Sequence, residues 1–307
     1  MHRNYSLDIA RGISIFLIVL SHVGISWSFL FDFFYVQMFF FLSGVFLKPT
    51  ATFENSLYKK TRSLLYPYVF FGSICSALVL ITGRTSFSEL HIYDPDSFDN
   101  GPQWFLIALF TLTFLYILIN QIRNKWWRFV TIISVFCFSY YMGRLGVDDF
   151  THFTKAGISL PFIFLGNYYL QSEALLRKYK YYFMILGISL CAISICFFHV
   201  KIGIRWIELP YNPLVYIFSS LGGILFLLSF SYILETCKYL NHLFSWWGIY
   251  SLFILCMHWP LVRILFDKIL PEQMKGDVGS FLFSIFICSM VAFVGSVLKK
   301  NLKCIFN

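Results

Sequence analysis

The sequence predicts an all-α, polytopic integral-membrane bundle of about ten transmembrane helices, formed by a single domain spanning residues 1–307. Three observations carry that expectation. Of the 307 residues, 58% are hydrophobic and only 13% charged, with a mean hydropathy of +0.71; this composition excludes an ordinary water-soluble globule. The apolar runs are continuous over about 20 residues instead of alternating over about 10, which fits helices and argues against a β-barrel. The basic residues, finally, collect on alternate connections between those runs.

In chain order the expected spans are 9–30, 33–47, 64–82, 103–122, 129–143, 153–170, 181–200, 213–234, 243–266 and 279–297. The first run contains no small-residue cleavage site and continues to full length, so it is expected to remain as a helix and not to act as a removable signal. The second is short and ends at Lys48-Pro49. A basic connection, 50–63, carries Lys59, Lys60 and Arg62 into the third span. The longest opposite connection, 83–102, holds Arg84, Glu89, His91, Asp94, Asp96 and Asp99, and leads through Gly101-Pro102 to Gln103 and Trp104. Acidic and aromatic side chains suit a sugar, although a solvated loop has the same composition. The fifth to eighth spans are joined by short connections holding Arg144, Asp148, Asp149 and His152, then Lys201, Arg205, Trp206 and Glu208. The ninth ends on His258-Trp259-Pro260, where a proline inside a helix removes a backbone donor and favours a kink.

With the N-terminus placed in the cytoplasm, sixteen of the 24 basic residues fall on the cytoplasmic side, among them Lys59, Lys60, Arg62, Arg177, Lys178, Lys299 and Lys300. The acidic residues fall mostly on the other side. The positive-inside rule then favours ten spans with both termini cytoplasmic, and topology accounts for the net charge of +9 without nucleic acid as a partner. The eight cysteines show no CxxC spacing and read as small apolar residues, with neither a disulfide framework nor a metal site. The sequence also contains no nucleotide-binding glycine motif, no serine nucleophile elbow and no HExxH.

The chemistry-bearing stretch is DIARGISIFLIVLSH, residues 8–22. Arg11 and His22 lie eleven residues apart, which on a helix is about three turns and roughly 16 Å, so both share one face. Ionisable groups inside a membrane helix usually face a protein interior or a wet cavity. The plainer alternative is that Arg11 snorkels to the lipid surface and His22 bonds a neighbouring helix. Asp8, one turn before Arg11, is placed to pair with it. The Lys59, Lys60 and Arg62 cluster reads either as an anchor to lipid headgroups or as a dock for phosphates. His258, beside its proline, either joins a polar core or is satisfied by a backbone carbonyl.

An arginine, ten residues and a histidine in the first span resemble the signature of the membrane acyltransferase-3 family, integral-membrane sugar O-acyltransferases that include a fucose O-acetylase-like branch. FYVQMFFFLSGVFL (34–47), KKTRSLLYPY (59–68), PQWFL (102–106) and GIYSLFILCMHWP (248–260) resemble further landmarks of that family in the same order. The resemblance implies transfer of an acyl group, most simply acetyl, from cytoplasmic acetyl-CoA or another acyl-CoA to a glycan or lipid-linked sugar at a bacterial cytoplasmic membrane. No tightly bound cofactor is implied. Under this reading Arg11, Lys59, Lys60 and Arg62 hold the donor, and His22, assisted by Arg11 and Asp8, acts as general base or acyl carrier. Ser43, Gln103, Trp104 and His258 are candidates for acceptor binding or for oxyanion donation. A sugar-lipid transporter or flippase, and a non-catalytic assembly subunit, are the competing readings. The concentration of ionisable groups on one helix favours chemistry over transport.

Overall fold

The computed structural model describes residues 4–47, 53–81, 101–271, 273 and 275–301. Twelve α-helices follow one another in these residues: α1 (Tyr5–His22), α2 (Tyr35–Val45), α3 (Phe53–Lys60), α4 (Tyr66–Ile81), α5 (Trp104–Asn120), α6 (Lys125–Arg144), α7 (Phe153–Lys178), α8 (Lys180–Phe198), α9 (Pro213–Leu234), α10 (Lys238–Ile249), α11 (Ser251–Leu261) and α12 (Asp277–Asn301). Among the described residues the strand-like pairing is limited to one isolated bridge, Gly203 with Glu208. We call the end of the bundle where α1 begins the foot, and the end where it finishes the head.

Among the described residues, six segments are long and apolar enough to cross a membrane: α1, Ser28–Val45, Gly101–Asn120, α8, α9 and α12. α10 and α11 form a seventh only if taken as one broken span. The chain is therefore a multi-pass membrane protein. The other expected spans fall on α4, which has 16 residues, and on the less apolar α6 and α7, so the count of ten is not established by the helices.

Two expected boundaries are corrected by local chemistry. The span expected at 9–30 is instead α1, which starts earlier because the Asn4 side chain caps it by accepting from the Leu7 amide at 3.4 Å. It stops at His22, ahead of Gly24, whose φ of +83° suits a turn that ordinary residues resist. The span expected at 243–266 is broken by 79° between α10 and α11, at Tyr250 and not at Pro260. Pro260 sits inside α11, which widens immediately afterwards into a π-helix over Val262–Ile269.

Close helix crossings hold the bundle together. Cβ atoms added at Gly44 and Gly166 would collide with the Ile163 and Phe41 carbonyls, so α2 and α7 touch backbone to backbone. Gly12 and Gly248 do the same for α1 and α10, against Phe244 and Asp8. In lipid, where tails are as apolar as leucine, small residues that allow such approach are a main source of helix association.

Polar ties close both ends. At the foot, Arg177 on α7 bridges Glu235 at 2.5 Å and Glu173 at 3.4 Å, and Asn4 donates to Glu173 at 2.7 Å. At the head, the 199–212 connection forms a strap fastened to α6. Tyr140 donates its hydroxyl to the Pro210 carbonyl, and Arg144 donates to the Leu209 carbonyl at 3.0 Å.

Candidate active site

α1 carries one polar group of the candidate site at each end. Asp8 lies in its first turn, where a carboxylate complements the helix dipole, and stands 3.8 Å from the Arg11 guanidinium. That guanidinium also lies over the Phe46 ring at 4.8 Å, just past the end of α2. Lys60, the last residue of α3, comes close enough to feel the Arg11 charge. Loss of water around its ammonium, and secondarily the Arg11 charge, push Lys60 down to about 8 from its ordinary value. Two cations held together in a partly dry place are unfavourable alone and are relieved by an anion between them. The basic cluster therefore divides: Lys60 joins Arg11, Lys59 is exposed, and Arg62 is half-buried in the π turn Thr61–Leu65.

At the head, His22 meets His258 from α11. Their ring nitrogens, Nδ1 of His22 and Nε2 of His258, are 2.8 Å apart. The rings lie nearly coplanar and edge to edge, centroids 5.1 Å apart and 19° between planes, and the Trp259 ring stands at a steep angle to His22, also at 5.1 Å. His258 is fully buried and its Nδ1 lies 2.7 Å from the Ile254 carbonyl oxygen. Arg263 covers the Trp259 ring at 4.7 Å.

His22 opens onto a cavity of about 460 Å³. Its walls combine three tryptophans, Trp104, Trp206 and Trp259, with Ser21, Asp32 and Tyr35 from the α1–α2 hairpin and Lys201, Arg205 and Glu208 from the strap. Ser21 and Tyr35 share a hydrogen bond of 3.2 Å between their hydroxyls. The Arg205 guanidinium packs on the Gly101 backbone and over the Trp206 ring at 4.7 Å. Flat apolar faces interleaved with charged and hydroxyl groups match the alternating faces and hydroxyls of a sugar.

Trp104 is fixed from behind. Lys155, buried on α7, sits 5.1 Å from its ring and pairs with Asp148 at 2.5 Å. His152 meets the same ring edge-on at 6.0 Å and Asp148 at 3.1 Å. Burial alone would push the Asp148 carboxyl up, but the hydrogen bonds and charges of His152 and Lys155 bring it below its ordinary value.

The remaining sequence candidates lie elsewhere. Ser43 is buried on α2 and shares a 3.3 Å hydrogen bond with Thr113 of α5, a helix-to-helix tie away from the cavity walls. Gln103 is fully buried, and neither polar atom of its amide has a hydrogen-bond partner among the described residues; it does not line the cavity. Arg84, Glu89, His91, Asp94, Asp96 and Asp99 lie outside the described residues. Sequence reading missed Asp32, Tyr35 and Trp259 as cavity walls. Asp32 did carry a signal, as the only carboxylate between Asp8 and Glu54. Among the described residues no group of three His, Cys, Asp or Glu side chains is placed to hold a metal ion.

A family model described as an acyltransferase domain matches residues 4–299. A search of curated proteins found no match.

Proposed function

Because the chain belongs to the acyltransferase-3 family of membrane acyltransferases, we propose that it moves an acetyl group from cytoplasmic acetyl-CoA to a hydroxyl of a cell-surface polysaccharide or its lipid-linked precursor. The observation that carries this reading is the two-ended arrangement on α1. A pair of cations stands at the foot, and a histidine faces a tryptophan-walled cavity at the head. Arg11 and Lys60 bind the donor's phosphates, with Asp8 orienting Arg11. His22 removes the proton from the acceptor hydroxyl as its oxygen attacks the thioester carbonyl. Trp104 forms part of the acceptor surface. Acylated protein accumulating in a single turnover would instead make His22 the acyl carrier.

The test is acetyl transfer by purified protein in lipid nanodiscs, supplied with labelled acetyl-CoA and glycan or lipid-linked sugar. Label on the acceptor supports the proposal. Translocation of the sugar lipid without acetylation would establish the flippase reading in its place.

The donor site makes a separate demand. Lys60 loses its proton as pH rises through about 8, and a neutral amine no longer balances a phosphate. The donor KM is expected to rise by about tenfold between pH 7 and pH 9.5, the scale of one charge-assisted hydrogen bond. Lys60→Arg stays charged throughout and should flatten the rise. A wild-type KM that does not change with pH would separate Lys60 from the donor.

We place the protein in a bacterial cytoplasmic membrane, with ten spans and both termini inside. Reporter fusions after Asn120 and Tyr179, at the foot, should then signal cytoplasm, and a fusion after Gly146 the opposite side. An external signal from Asn120 overturns that topology.

A further inference from the structure

The pair of histidines defines more than proximity. His258 Nδ1 faces the Ile254 carbonyl oxygen at 2.7 Å. A carbonyl oxygen only accepts, so the His258 ring proton resides on Nδ1. A neutral imidazole has one such proton, which leaves His258 Nε2 as a lone pair. A second proton there would create a charge in a fully buried ring, and among the described residues neither nitrogen contact is a carboxylate. The nitrogen facing that lone pair at 2.8 Å is His22 Nδ1, which must therefore be the donor. The remaining nitrogen of His22, Nε2, is left bare. The in-line bond to the nearly coplanar His258 ring on one side and the Trp259 ring on another resist rotation of the ring.

We propose that His258 is a positioning residue that locks His22 as its Nδ1-protonated tautomer, so that Nε2 is the atom that takes the acceptor's proton. The inference rests on the acyl-transfer reading for its consequence and on the carbonyl–imidazole–imidazole chain for its geometry. In the reaction, the hydroxyl O–H bond breaks as the O–C bond to the acyl carbon forms, and His22 Nε2 holds the proton. The C–S bond then breaks, and the proton passes from Nε2 to the departing sulfur to give a free thiol. Throughout, Nδ1 keeps its own proton and its bond to His258. This arrangement orients the base as the carboxylate of a hydrolase triad does, but through a neutral acceptor, which adds no buried charge beside the membrane core.

The test uses two near-isosteric amides. In His258→Gln the amide oxygen reaches the place of Nε2 and can accept from His22. In His258→Asn it reaches only the place of Nδ1 and cannot. The Gln variant is expected to keep kcat within about tenfold of wild type. The Asn variant is expected to lose about 100-fold or more, the scale of a removed orienting partner, with the donor KM unchanged. Nitrogen-15 NMR of histidine-labelled protein in nanodiscs reads the tautomer directly: His22 Nδ1 protonated and Nε2 bare in wild type, and a mixture in the Asn variant. His22 protonated on Nε2 in the wild-type protein overturns the proposal whatever the activity. So do equal losses in the Gln and Asn variants with the His22 tautomer unchanged. If the wild-type protein shows the locked tautomer but transfers no acyl group, the functional reading fails while the positioning role stands.

Discussion

His22→Ala is expected to lower acyl transfer by about 10²–10⁴-fold, the usual loss on removing a general base, while donor binding and folding persist. His22 ends α1 and is only half-buried. Truncating it enlarges a cavity that already exists, leaves Asp8, Arg11 and Lys60 untouched, and leaves the Ile254 bond to His258 in place. The measurement is acetylation of the native glycan in cells with protein abundance followed alongside, then donor binding by the purified variant. Transfer at the wild-type rate would remove the catalytic assignment. Arg11→Lys provides the contrast: it keeps the charge but loses the planar fork that grips phosphate, and should weaken donor binding without abolishing the chemical step.

Gly44→Ala and Gly166→Ala are expected to destabilise the protein by more than ordinary surface changes do. Each would place a Cβ against a carbonyl of the facing helix, and a backbone atom cannot move aside as a side chain can. Relief requires α2 and α7 to separate along their crossing, which also disturbs the Ser43–Thr113 tie. Overpacking of this kind costs about 1–3 kcal/mol, a fall of roughly 2–10 °C in Tm. Gly276→Ala is the control, since among the described residues nothing lies within 4 Å of its Cβ position. Equal melting of all three variants in detergent would mean that α2 and α7 are not in backbone contact.

The sequence displayed the residues of the site better than their partnerships. The polar stripe of α1 was readable because Arg11 and His22 break an apolar run at helical spacing, and ionisable groups in such a run need a polar destination. The destinations were not readable. His258 lies 236 positions from His22 in the chain, and no local pattern states that α11 returns to the head of α1. Lys59, Lys60 and Arg62 look alike in sequence; only the turn of the helix decides that Lys60 is half-buried within reach of the Arg11 charge while Lys59 is exposed. Asp148 and His152 read only as part of a short connection, and Lys155 inside the following span went unmarked, because the ring they support, Trp104, comes from another helix. The phenylalanine-rich stretch ending in Ser43 and Gly44 stood out as a motif, and the contacts it makes are packing ones: Gly44 admits α7, and Ser43 ties α2 to α5. The break at Tyr250 lacked a breaker of its own, whereas Pro260 promised a sharp bend and is accommodated inside α11.

The break between α10 and α11 has a mechanical consequence. These two helices are joined through Tyr250 alone, and together they hold α1 along its length: Asp8 and Gly12 against Gly248 and Phe244 towards the foot, Phe16 against Trp247 further along, and the ring of His22 against His258 at the head. They act as a caliper whose jaws close on both ends of one rod. The rod cannot change its length or phase without losing one jaw. A single residue inserted between Gly12 and His22 would turn the histidine by about 100° and advance it by about 1.5 Å, away from His258 while Gly248 still held the foot. Only additions near a whole turn would restore the phase, and these would lengthen the rod by about 5 Å beyond its fixed jaws. The ten-residue interval between Arg11 and His22 is thereby a dimension of the molecule, set by the segment that grips it.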